Sequence, residues 1–117
     1  MIKQILEDLI SATAGAQAAI FLDGDGESID QAGDHAVDVR LVGAWKEIHL
    51  DRIKEIASRL GLGEVHAVLF SLEQGTELVV PVSGEYCLLL FLSNYANIQD
   101  ALAGIKNAVV RLKQDIE

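Results

Sequence analysis

Four features of this 117-residue sequence have residue types that chemistry uses. Asp23-Gly24-Asp25-Gly26 has the acids and glycines of an incipient calcium loop. A complete loop carries Gly at its sixth position and Glu at its twelfth. Counted from Asp23, those positions hold Ser28 and Asp34. The stretch therefore reads as a tight hairpin turn, with two glycines free to take positive φ. Gly61-Leu62-Gly63 is a bare G-x-G that follows a helical pattern rather than a strand, and the later glycine of a dinucleotide fingerprint is missing. It reads as a helix stop, and no Gly-Lys-Ser/Thr phosphate loop occurs in the sequence. His35, His49 and His66 lack short metal-ligand spacing. Cys87 sits in the most apolar segment, where a thiol is small and inert rather than nucleophilic. No serine lies in a G-x-S-x-G context. The expectation is no catalytic residue, no metal, no cofactor, and a protein that is not an enzyme.

Composition bounds what remains. A length of 117 residues suits one domain, residues 1–117, with a core that needs no staples. Half of the residues are hydrophobic and 23% are charged, which excludes disorder as the main state. A net charge of -9 argues against wrapping nucleic acid or adhering to an anionic membrane. One cysteine excludes an internal disulfide. Residues 1–10 carry Lys3, Glu7 and Asp8 among their apolar members, so no signal peptide is expected. The longest unbroken apolar run, residues 86–92, is far too short to span a bilayer. A soluble, cytoplasmic protein with no membrane insertion is expected.

The elements follow from period and punctuation. Residues 1–14 space Ile2, Ile5, Leu6, Leu9 and Ile10 helically, and Gly15 ends them. Residues 17–22 (QAAIFL) are nearly all apolar, the mark of a strand buried on both faces. Residues 27–32 return as a second strand whose acidic and polar members leave only Ile29 and Ala32 to pack. A long helix spans residues 38–60, with Asp38 as N-cap or first-turn acid. Its apolar stripe is Leu41, Trp45, Ile48, Ile56 and Leu60, widened by Val42, Ala44, Ile53 and Ala57. Residues 65–72 and 76–82 form strands three and four, with Pro81 near the end of the fourth. Residues 86–92 (YCLLLFL) form a fifth strand, again apolar on both faces. A last helix covers residues 97–117, opened by the capping pair Asn97 and Asp100 and striped by Ile98, Leu102, Ile105, Val109, Leu112 and Ile116.

The resulting fold class is α+β, in the order αββαβββα. Strands one and five are the two that need cover on both sides, so they belong in the middle. Hairpin neighbours then give a five-stranded sheet of order 2-1-5-4-3. Helices 1 and 3 share one face, and helix 2 takes the other. Acidic strand two makes one rim and strand three the other. Residues 65–72 (VHAVLFSL) carry no Pro, no Lys and no inward charge, the usual protections of a free edge. A second copy of the chain is the expected cover.

Charge is unevenly distributed. Residues 38–60 hold five of the nine basic side chains (Arg40, Lys46, Arg52, Lys54 and Arg59) against four acids. Ordinary i,i+4 surface pairing accounts for part of this. The sharper reading is a docking face for an acidic partner, with Arg40, Lys46, Arg52 and Lys54 as its contacts.

The ordered set of motifs resembles the Roadblock/LC7 family. The resemblance is carried by AAIFLDGDGESI (residues 18–29), LGLGE (60–64), LVVPVSGEYCLLLFL (78–92) and ANIQDAL (96–102). It covers nearly the whole chain, and the compact length is most similar to bacterial and archaeal members of the MglB type. The resemblance implies a profilin-like sandwich and a homodimer, or a heterodimer with a paralogue, joined through strand three and helix 2. His66, Val68, Phe70, Trp45 and Ile48 would then line the dimer interface, with Arg52 on the dimer or partner surface. It also implies a Ras-like small GTPase as partner, since family members scaffold or regulate such proteins or serve as dynein light chains. The MglB type is GTPase-activating. A dimeric adaptor without effect on GTP hydrolysis is the alternative. A small-molecule sensor is a further one, because PAS-like and profilin-like modules share the sheet-and-helix frame.

Overall fold

Strands that are apolar on both faces must have neighbours on both edges and a layer on each side. The computed structural model, which describes residues 1–34 and 39–116 but not the side chains of residues 39–47, meets this demand. The elements are α1 (Ile2–Ala12), β1 (Ala16–Leu22), β2 (Ser28–Gly33), α2 (Val39–Arg59), β3 (Val68–Leu72), β4 (Gly75–Ser83), β5 (Tyr86–Leu92) and α3 (Ile98–Ile116). All strand pairs are antiparallel, and the sheet order is β2-β1-β5-β4-β3. The expected topology and layering are both present. His35 and the expected cap Asp38 lie outside the described residues.

Side chains alternate across β1 and β5 to build two cores. On one face Ala19, Phe21, Leu88, Leu90 and Leu92 pack with Ile5, Leu6 and Leu9 of α1 and with Ala101, Ile105, Ala108 and Leu112 of α3. On the other face Ala18, Ile20, Leu22, Cys87, Leu89 and Phe91 pack with Leu50 of α2. Alanine at positions 101 and 108 is part of the inward side of α3, beside the larger Ile105 and Leu112. Phe21 stacks on Tyr86 at 5.4 Å between ring centroids, fixing the hairpin end of the first core.

Local chemistry sets the boundaries. Asn97 Oδ1 accepts a hydrogen bond from the Asp100 N–H at 3.1 Å, which caps α3 as its sequence indicates. Gly15 takes φ +87 between α1 and β1, where a Cβ would meet that of Ala96 at 2.7 Å. In the β1–β2 turn only Gly26 has positive φ, whereas two glycines were expected to use that freedom. Ile29 of β2 is largely exposed rather than packed, leaving Ala32 as the buried residue of that rim.

The two helices of the first layer are also joined at their surface. Gln4 donates to Asp8 Oδ1 at 2.8 Å, and Arg111 of α3 donates to Asp8 Oδ2 at 2.9 Å. These bonds, that of Gln4 first, hold the Asp8 carboxyl below its ordinary pKa. A lowered folded-state pKa means a contribution fully present above the ordinary carboxylate value and lost as pH falls through the lowered one. Asp8→Asn should therefore lower stability modestly at neutral pH and little in acid, making the acid limb of a stability-versus-pH curve shallower, as read by urea titration across the range.

Candidate interaction surface

Helix α2 has two apolar rows, and only one faces the sheet. Leu50 and Ala57 are buried and Ile53 is half-buried, at spacings of three and four that define a helix face. Ile48, Ile56 and Leu60 fall on a second row four residues apart and are exposed. The apolar stripe expected from sequence is therefore divided between two rows. Leu50 was absent from it, although it is the most buried of the described side chains of α2, while Ile48, Ile56 and Leu60 are exposed. Arg52 belongs to the outward row by its spacing and is also exposed.

Strand β3 is shorter than expected. Its pairing with β4 runs from Leu72↔Gly75 back to Val68↔Val79 and stops there, so residues 65–67 are outside it. Continuing that register would set His66 opposite Pro81, which has no N–H to give a ladder. Val68 and Phe70 turn to the α2 side and pack half-buried against the second core, as does Val65. The His49 ring of α2 lies 6.3 Å from that of Phe70, so the helix reaches the last strand of the sheet. Among the described residues no strand pairs with the outer edge of β3.

Exposed apolar side chains gather in this region. Ile48, Ile56, Leu60, Leu62, Leu69 and Leu72 range from 44% to 73% exposed. Exposed apolar side chains on both sides of an unpaired edge mark it as a candidate interaction site. Of the residues expected at a dimer interface, Val68 and Phe70 lie in β3 and Ile48 in the outward row of α2. His66 is exposed in the segment before β3. Trp45, with the expected partner contacts Arg40 and Lys46, lies outside the described side chains. Lys54 is half-buried and turns toward an open cleft beside β4, away from Arg52. The expected basic face is thus divided, and Arg59 is engaged by Glu55 at 2.7 Å along the helix.

Three of the features singled out in the sequence have structural roles. Asp23 Oδ1 accepts hydrogen bonds from the Asp25 and Glu27 N–H groups at 2.9 and 3.0 Å, the geometry of a turn closed by its own carboxylate. Gly61 takes φ +69 directly after α2. Cys87 is a buried thiol in the second core. Among the described residues no cluster of His, Cys, Asp or Glu could hold a metal ion, and no helix is long and apolar enough to cross a membrane.

No family model and no curated protein matches the sequence. Solved structures do match the fold. A Roadblock/LC7 domain from Streptomyces avermitilis is similar at TM-score 0.90 and 16% identity, covering 97% of this chain and 96% of that one. This chain has the Roadblock/LC7 fold. MglB of Myxococcus xanthus is similar at TM-score 0.91 and 17% identity, with 98% of this chain and 94% of that one covered. Profilin II of Acanthamoeba castellanii is similar at TM-score 0.72 and 13% identity over 100% of both chains. The Roadblock/LC7 and profilin frames thus share the sandwich expected from sequence.

The two rows of α2 make unlike demands on stability. Leu50→Ala leaves a cavity in the second core and should cost about 3 kcal/mol in urea unfolding. Ile56→Ala removes an exposed side chain and should change the stability of a single subunit by about 0.5 kcal/mol or less.

Proposed function

We propose that this protein is a dimeric regulator or scaffold of a Ras-like small GTPase, acting through surface rather than through catalytic groups of its own. The observation that carries this reading is the apolar region around β3: an unpaired strand edge flanked by the outward row of α2. Pairing β3 with its copy gives each edge backbone partners and covers Leu69 and Leu72. Two α2 helices brought side by side cover Ile48 and Ile56. One sheet then runs through both subunits, and Arg52, the basic residue of the outward row, lies at the joint surface as a contact for an acidic partner. Similarity in fold to MglB supports a GTPase as that partner, because the MglB type is GTPase-activating. Activation in this reading comes from ordering the partner's own catalytic loops.

Sedimentation equilibrium should give twice the subunit mass of 12.6 kDa. Leu72→Lys adds charge at an exposed position beside the edge and should shift the mass toward one subunit with the circular dichroism spectrum unchanged. Val68→Lys should do the same, at some cost to the core it packs against. An unchanged mass for Leu72→Lys would mean that another surface joins the subunits.

Adding the protein to Ras-like GTPases of the source organism should raise the GTP hydrolysis rate of one of them, measured by phosphate release. Binding without acceleration would reduce the role to that of an adaptor. No binding to any of them would remove the GTPase from the account.

A further inference from the structure

The chain leaves α2 through two left-handed glycines, Gly61 at φ +69 and Gly63 at φ +88, with no atom within 4 Å of the position of a Cβ at either. Residues 61–64 are exposed, so this segment stands off the body before β3 begins. Beneath it is an open cleft of about 1650 Å³, bounded by residues 61–67, by residues 80–84 and by α3. That volume exceeds the ~300–1000 Å³ of small-molecule sites, and the cleft is open rather than enclosed. It suits a length of polypeptide.

We propose that this cleft binds an extended acidic peptide segment of a partner protein, which lies along the free half of β4. The first observation is the edge itself. Pairing with β3 ends at Val79, while pairing with β5 continues to Ser83, so residues 80–83 have a strand on one side only among the described residues. Pro81 has no N–H to give on that side, so the stretch offers room for an extended chain rather than a full ladder. The second is the wall. Leu102, Val109 and Val110 of α3 line the cleft, and Val110 is 56% exposed, which gives apolar contacts for alternate side chains. The third is charge. Lys54, Lys106 and Lys113 line the cleft against a single acid, Glu64, on a chain of net charge -9. None of the three lysines has an ion-pair partner among the described residues. Three unpaired cations gathered in one place on an acidic protein select a negatively charged occupant.

This surface lies beside β4 and α3, apart from the outer edge of β3, and the inference does not depend on dimerisation or on a GTPase. The test is nitrogen-15 NMR of the full chain titrated with a synthetic peptide of about ten residues alternating Glu and Val, with a Lys and Val peptide as control. Saturable shifts should appear at the amides of residues 80–84 and along α3 with the acidic peptide. Lys106→Glu with Lys113→Glu should weaken binding about tenfold or more, as should raising salt from about 50 to about 500 mM. The dispersed spectrum of the double variant itself reports that it is folded. The proposal is overturned by equal binding of the basic peptide, by shifts confined to the β3 edge, or by no saturable shift. It is equally overturned if sedimentation finds that the double variant dissociates an oligomer, since a second copy would then be the occupant.

Discussion

A five-stranded sheet whose central strands are apolar on both faces cannot be left with one face to water, and this constraint governs the rest of the molecule. On one side two helices answer it. α1 and α3 lie together there, tied by the bonds of Gln4 and Arg111 to Asp8 and closed over Phe21, Leu88 and Leu90. On the other side a single helix must cover Ile20, Leu89 and Phe91, with Leu50 at its centre. The second layer is the thinner one; Ile48, Ile56 and Leu60 stand exposed along it, and Leu69 and Leu72 at the adjoining end of the sheet.

The same asymmetry distinguishes the two rims. β2 carries Asp30 and polar residues and buries little beyond Ala32, a composition that discourages further pairing. β3 carries Val, Leu and Phe, leaves its outer edge open among the described residues, and sits where α2 presents its outward row. Pro81 adds a further restriction. It offers no N–H where the β3–β4 ladder would continue, and the cleft opens beside that end of β4.

Most of the architecture was legible because it rests on period and punctuation. The apolar runs at residues 17–22 and 86–92 identified the central strands, hairpin turns ordered their neighbours, and the Asn97 cap fixed where α3 begins. What sequence could not resolve was orientation on α2. A helix with apolar residues on two sides has no unique buried stripe, so Leu50 went unseen and Ile56 and Leu60 were grouped in one stripe with the half-buried Ile53 and buried Ala57. The extent of β3 was misjudged for a related reason. Residues 65–67 have strand composition, and what stops them is a proline on the neighbouring strand. The interaction surface was legible as a bare edge, whereas its flank on α2 and the lysine-lined cleft depend on which residues three-dimensional packing brings together.

Function on this account belongs to the completed sheet rather than to any one side chain. Amide hydrogen exchange in β3 of the unmodified protein, followed across a wide range of protein concentration, examines that idea most directly. Pairing with a second subunit predicts β3 amides that are protected when the protein is concentrated and lose protection on dilution, while β1 and β5 stay protected throughout. Exchange in β3 that is fast at every concentration, or slow at every concentration down to the most dilute measurable, would contradict it.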